Sequence, residues 1–386
     1  MIPYGRQDIN QADIDAVIDV LKSDFLTQGP VVPAFEKNVA DYCGAKHAVA
    51  VNSATSALHI ACLSLGVAKG DLVWTTPVTF VASANCALYC GAQVDFVDID
   101  PCTYNLSVDR LAEKLVQAEK TGNLPKVVIP VHFSGQSCDM VRIHALSQQY
   151  GFKIIEDASH AIGGRYENEP IGNCHYSDIT VFSFHPVKII TTGEGGMALT
   201  NDASIAKQMG LLRSHGITRD VNDMTKEPDG LWYYQQIGLG FNYRMTDLQA
   251  ALGLSQMQRL NEFVSSRHII AKRYDELLTD LPLMTPSQQA GSYSSLHLYV
   301  IRIQPDQNIR THREVFEALR DASIGVNLHY IPVYRQPYYE SLGFLSGYCP
   351  EAEQYYSEAI SLPMYPGLSE EEQNQVATVL NEVIGI

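Results

Sequence analysis

Between His47 and Thr200 the chain repeats one pattern: a short run of apolar residues, a polar or glycine-containing break, then apolar positions at helical spacing. The runs fall at residues 48–51, 73–75, 94–97, 127–131, 154–156 and 179–184, with a further one at 197–200. Continuous apolar runs of this length, without polar alternation, predict strands buried on both faces, and their alternation with helical segments predicts a mostly parallel sheet sandwiched by helices. Before this region, Ile14, Val17, Ile18 and Leu21 keep helical spacing behind Asn10, a candidate N-cap. Residues 220–230 are polar and predict a surface loop. From Thr246 a long helical pattern through Leu248, Leu252, Leu254 and Leu260 leads into a second unit, with a strand at residues 296–303 and a closing helix at 369–383. The expectation is an α/β protein with a large domain at residues 12–250 and a smaller C-terminal α/β domain at 251–386, with residues 1–11 a candidate addition to the latter.

Composition narrows the class. A chain of 386 residues, 46% hydrophobic and 18% charged, is long enough for two domains with substantial cores. The formal net charge of −16 argues against a nucleic-acid backbone as partner, because such binding needs a basic face. It leaves room for a nucleotide sugar, whose diphosphate needs only a local cluster of donors, such as Arg213, His215 and Arg219; the alternative is a solvated loop face. The eight cysteines lack C-x-x-C spacing and read as reduced thiols. With no apolar signal region at the start and no run long enough to span a bilayer, the expected location is cytoplasmic, without membrane partners. No metal site is predicted, and neither H-E-x-x-H nor G-x-S-x-G occurs.

Three segments carry chemistry. Lys188 stands in Ser183-Phe184-His185-Pro186-Val187-Lys188, between two apolar runs and before Gly193-Glu194-Gly195-Gly196, at a strand end where α/β proteins place function. Asp157 follows the β-branched run Ile154-Ile155 at another strand end. Ser53-Ala54-Thr55-Ser56 joins a strand to a helix whose first amides favour an anion. Each has a plain alternative: a solvated lysine, a helix-capping carboxylate, an ordinary N-cap. Together they supply an amine for a Schiff base, a carboxylate for a pyridine nitrogen and a phosphate cradle, which is what pyridoxal phosphate requires. His160 would orient Asp157 or the ring oxygen, or else be a satisfied core residue.

The motifs Leu26-Thr27-Gln28-Gly29-Pro30, Pro130-Val131-His132, Glu156-Asp157-Ala158-Ser159-His160, Gly193-Glu194-Gly195-Gly196 and Gly240-Phe241-Asn242-Tyr243-Arg244-Met245, in this order, resemble the DegT/DnrJ/EryC1/StrS sugar-nucleotide aminotransferases of the type I (aspartate aminotransferase-like) fold. Within that family, residues 131–140, 213–220 and 232–234 look most like the pseudaminic-acid branch, which aminates C4 of a UDP-linked 4-keto sugar. The resemblance implies Lys188 as the Schiff-base lysine and Asp157 as the pyridine partner. It implies phosphate contacts from Ala54, Thr55 and Ser183, ring stacking by Phe80, and Asn242 reaching the phosphate from the neighbouring subunit of a homodimer. It further implies L-glutamate as donor and a UDP-sugar as acceptor. Candidate substrate contacts are Tyr4, Thr27, Gly29, Arg213, His215, His329 and Tyr330, the last two expected from the partner subunit. The competing readings are packing in the small domain for His329 and Tyr330, and an N-cap for Asn242.

Two rivals remain to be weighed. Gly193-Glu194-Gly195-Gly196-Met197-Ala198 fits a G-x-G-x-x-A dinucleotide pattern, as in an NAD-dependent sugar oxidoreductase, but an apolar strand-like run follows where a helix start is needed. A non-enzymatic sensor of the same fold would not need Lys188. Among aminotransferases, a 4-keto pentose or a 3-keto deoxyhexose is the alternative acceptor.

Overall fold

The computed structural model describes residues 1–304 and 310–384. Seven strands form the main sheet: β1 (His47–Val51), β2 (Leu72–Thr75), β3 (Gln93–Phe96), β4 (Val127–Ile129), β5 (Lys153–Asp157), β6 (Ile179–Ser183) and β7 (Gly196–Thr200). Their order across the sheet is β1-β7-β6-β5-β4-β2-β3. The pairs β2/β3, β2/β4, β4/β5 and β5/β6 are parallel, whereas β7 runs antiparallel to both β1 and β6. The predicted apolar runs are the buried strands, and all five residues of β6 and of β7 are buried. Phe35, Phe182 and Phe184 pack on one face of the sheet and Leu58, Ile60 and Val73 on the other. Each such side chain contributes roughly 1.5–3 kcal/mol through burial.

Helices cover both faces, and their starts are encoded locally. Asn10 and Asp13 form a capping box for Gln11–Leu21, and Thr246 and Gln249 form another for Asp247–Met257. The buried Asp247 carboxylate also accepts the amides of Gly29, Val31 and Val32, at 2.7, 2.8 and 3.1 Å, so it caps the helix Val31–Cys43 as well. The helical pattern after Thr246 is two helices, Asp247–Met257 and Leu260–Leu277, broken at Gln258 and Arg259. A division at residues 250/251 therefore runs through a helix that packs on Gln11–Leu21 and Val31–Cys43.

The C-terminal unit pairs β8 (Leu283–Met284), β9 (Tyr299–Ile303) and β10 (Ala359–Leu362) antiparallel, with the helices His312–Asp321 and Glu370–Ile384 against them. Residues 1–4 join this unit: Ile2 pairs with Ile324 and sits in its core, and the Met364 amide donates to the Tyr4 carbonyl at 3.0 Å. No helix among the described residues is long and apolar enough to cross a membrane.

Candidate active site

The C-terminal ends of β5 and β6 open on a cavity of about 740 Å³, a size suited to a cofactor with part of a substrate. Lys188, Asp157, His160, Ser183, Ala54, Thr55, Phe80, Tyr4, His329 and Tyr330 all line it. Lys188 comes from the loop joining β6 to β7, which is closed on itself: the Phe184 carbonyl accepts the Thr192 amide and the Thr191 hydroxyl, each at 3.0 Å. The Lys188 side chain is partly enclosed, and its remaining exposure is to the cavity it lines. Burial pushes its ammonium down to about 8, although the Asp157 carboxylate pulls the other way.

Asp157 ends β5 and is held from two sides. Its Oδ1 accepts the amide and hydroxyl of Ser159, at 3.1 and 2.6 Å, and its Oδ2 accepts the Ser83 hydroxyl at 2.6 Å. His160 does not hold Asp157. Its Nε2 lies 3.2 Å from the Tyr330 hydroxyl, and its buried Nδ1 has no partner among the described residues. Burial keeps His160 and His297 neutral, well below the usual histidine range, and pushes His329 down to about 3; the nearby Lys188 charge adds to each shift. The Lys188 amine and the Asp157 carboxylate thus share the cavity with the neutral rings of His160, His297 and His329.

The helix Ala54–Ser64 begins at the opposite wall. Ser53 caps it by accepting the Ser56 amide, which leaves the amides of Ala54 and Thr55 without partners among the described residues and available to an anion. A side chain at Gly196 would meet the Ala54 nitrogen at 2.5 Å, so glycine there lets β7 pass directly beneath this turn. Gly193-Glu194-Gly195-Gly196 leads into β7, not into a helix, as the sequence pattern indicated. An amine, a carboxylate behind serine donors, a free helix start and the flanking Phe80 ring fit pyridoxal phosphate.

Five of the predicted site residues do not line this cavity. Nη1 of Arg213 donates to the Glu36 carboxylate and to the Ala50 carbonyl, the latter at 2.7 Å, so in this chain it braces β1, outside the cavity. Thr27 pairs with Thr246, and the Gly29 amide is taken by Asp247. His215 turns the backbone at φ 61° while its amide bonds the Phe241 carbonyl, and Asn242 pairs with Ser214 on the surface. His329 and Tyr330, expected from a partner subunit, line the chain's own cavity instead. The C-terminal unit folds back over the site, with the Val333 amide on the Pro77 carbonyl at 2.9 Å and the Tyr330 hydroxyl 3.2 Å from Nε2 of His160. Ser83, Ser159, His297 and Asn327 were not anticipated. Ser83 follows Phe80 by three residues, which was the available signal.

The chain matches the model of the DegT/DnrJ/EryC1/StrS aminotransferase family over residues 7–381. It is 37% identical to the UDP-4-amino-4,6-dideoxy-N-acetyl-beta-L-altrosamine transaminase of Campylobacter jejuni strain 81-176, covering 100% of this chain and 98% of that one. Among solved structures, Helicobacter pylori PseC, an aminotransferase involved in pseudoaminic acid biosynthesis, superposes with a TM-score of 0.90 at 30% identity over 99% of each chain. The PLP-form of Spr1654 from Streptococcus pneumoniae superposes with a TM-score of 0.88 at 29% identity, again over 99% of each. With the cavity's donor set and a family match over nearly the whole length, this chain belongs to the DegT/DnrJ/EryC1/StrS aminotransferase family, sugar-nucleotide transaminases that work with pyridoxal phosphate.

Proposed function

We propose that this enzyme moves an amino group from L-glutamate to C4 of a UDP-linked 4-keto-6-deoxy-N-acetylhexosamine, a step of pseudaminic acid biosynthesis, in the cytoplasm. The observation that carries the aminotransfer is the Lys188 amine, brought down to about 8 in a cavity it shares with the Asp157 carboxylate. The choice of sugar is supported by the printed activity of the Campylobacter relative.

Bound pyridoxal phosphate supplies an electron-withdrawing ring that stabilises negative charge on the carbon next to the transferred nitrogen. Asp157 would hold the ring N–H, the Ala54 and Thr55 amides with the Ser183 hydroxyl would hold the phosphate, and Phe80 would flank the ring. Lys188 would hold the cofactor through its Nζ and, as general base and then general acid, would take the proton from Cα of glutamate and pass it on at that same atom. The same two transfers in reverse order serve the keto sugar, so 2-oxoglutarate and the 4-amino sugar leave and the amine count balances. Tyr4, His329 and Tyr330 line the remaining space, where the sugar binds.

The proposal includes a homodimer with shared sites. Asn242 lies outside its own chain's cavity, and Leu231, Trp232 and Leu239 on the preceding segment are exposed, apolar surface that a second subunit would cover. In that arrangement Thr27, Gly29, His215 and Asn242 face the partner's cavity. The test of substrate is a panel of UDP- and dTDP-linked keto sugars offered with glutamate and read by product mass. Preferential amination of a 4-keto pentose or a 3-keto deoxyhexose would replace the sugar assignment. Amination of none would remove the transaminase assignment.

A further inference from the structure

Asp157 is buried and has no salt bridge among the described residues; its charge acts on Lys188 and Tyr330. Its carboxylate is held by the Ser83 and Ser159 hydroxyls and the Ser159 amide, and the hydroxyls on the Ser83 side form a directed chain. Ser83 has one hydroxyl proton. At 2.6 Å from Asp157 Oδ2, against 3.4 Å from the Phe80 carbonyl, that proton belongs to the carboxylate. The Thr79 hydroxyl, 2.8 Å from the Ser83 oxygen, must then be the donor of that pair. Ser159 supplies both donors to Oδ1, which leaves Oδ2 the oxygen with an open lone pair. Ser83 lies in the first turn of the short helix Ala82–Tyr89, three residues after Phe80, so a single backbone turn carries both the ring-flanking aromatic and the carboxylate's donor.

We propose that Ser83, supplied by Thr79, is a positioning residue for the reaction: it fixes the Asp157 carboxylate with Oδ2 open to the cofactor's ring N–H and keeps the shared proton on the ring nitrogen. The physical reason is competition for one proton. A carboxylate already receiving hydroxyl donors is the weaker base of the pair, and removing a donor moves the proton toward Asp157 and weakens the ring's electron withdrawal. A hydrogen bond to a charged acceptor is strong enough for its loss to change affinity or rate by about tenfold. The proposal rests on the pyridoxal phosphate assignment above.

The test loads wild type, Ser83→Ala and Ser83→Thr with pyridoxal phosphate labelled with ¹⁵N in the ring and reads the ring nitrogen resonance, the cofactor Kd and single-turnover kinetics. The expected result is a Ser83→Ala resonance displaced toward the unprotonated position, a Kd weakened about tenfold and a lower kcat with little change in sugar KM. Ser83→Thr, which retains the hydroxyl, should restore all three. If Ser83→Ala does not fold, Ser83→Cys, a weak donor of similar size, takes its place and should show the same displacement. A wild-type resonance and Kd in the folded donor-poor variant would overturn the proposal. A wild-type protein that takes up no cofactor would overturn the pyridoxal phosphate assignment itself, and the role of Ser83 with it.

Discussion

Oε2 of Glu156 lies 2.6 Å from Nε2 of His132, sealed within the sheet one residue before the carboxylate that faces the cavity. Nδ1 of the same ring accepts the Cys138 amide at 3.1 Å, so Nε2 carries the proton and donates it. Ser177 and Thr180 donate to the other Glu156 oxygen. Burial raises the Glu156 carboxyl, but these donors, His132 first, outweigh it and leave the group below its ordinary value. Because alternate residues of a strand face opposite ways, this network pins β5 from behind while Asp157 serves the cavity.

Glu156→Ala strips three donors of their acceptor in a dry site and should cost about 3 kcal/mol or more, with a matching drop in the unfolding midpoint in urea. A group lowered in the folded state stabilises fully above its unfolded value and loses that contribution as pH falls through the folded one. The gap between wild type and variant should therefore persist at neutral pH and narrow only in acid. An unaltered midpoint would show that the network carries no stability.

Lys188→Ala should abolish the borohydride-sensitive visible band and lower turnover by several orders of magnitude, since anchor and proton carrier are one amine. Uptake of pyridoxal phosphate by the cofactor-free wild type uses the neutral amine. Its rate should rise about tenfold per pH unit up to about 8 and then level off, instead of climbing toward the ordinary lysine value of about 10.4. Stopped-flow absorbance across that range distinguishes the two profiles.

Arg213→Ala should act on stability and leave substrate affinity alone. The side chain ties Glu36 to the Ala50 carbonyl in β1 and is partly exposed, so its loss is worth about 1–2 kcal/mol. The sugar KM should stay within about twofold; a KM raised tenfold in a variant of undiminished thermal midpoint would return Arg213 to the diphosphate.

Shared sites can be tested by mixing two inactive proteins, Lys188→Ala and Asn242→Ala. If Asn242 serves the partner's cavity, part of the mixed dimers hold one site with both defects and one with neither, and activity returns. Absence of recovery despite measured subunit exchange would assign Asn242 to its own chain.

The strands of the main sheet were legible because burial on both faces writes an unbroken apolar run, and the helix starts because Asn10, Ser53 and Thr246 act within three or four residues of chain. Lys188, Asp157 and the Ala54–Thr55 turn were legible for the same reason: each sits beside such a run. What sequence could not carry was direction and distant partnership. Nothing local marks β7 as antiparallel, and the apolar spacing of Leu252, Leu254 and Leu260 passes through the break at Gln258. Arg213 read as a loop donor because its acid, Glu36, lies 177 residues away. His329 and Tyr330 read as partner contacts because only the folded C-terminal unit returns them to Lys188.

β1 pairs with β7 alone in the sheet, and the turn that follows β1 rests on Gly196. A ribosome releasing this chain from its N-terminus has therefore exposed His47–Val51 long before the strand that receives it exists. Some 150 residues of synthesis separate the two, roughly 7–30 s at common elongation rates. Through that interval β2–β5 can assemble by parallel crossovers while β1 waits as an unpaired apolar segment. The anion-binding wall of the cavity is thus built after the wall that carries Asp157, and a stalled or truncated chain ending before Gly196 would carry Asp157 in place and no cradle opposite it.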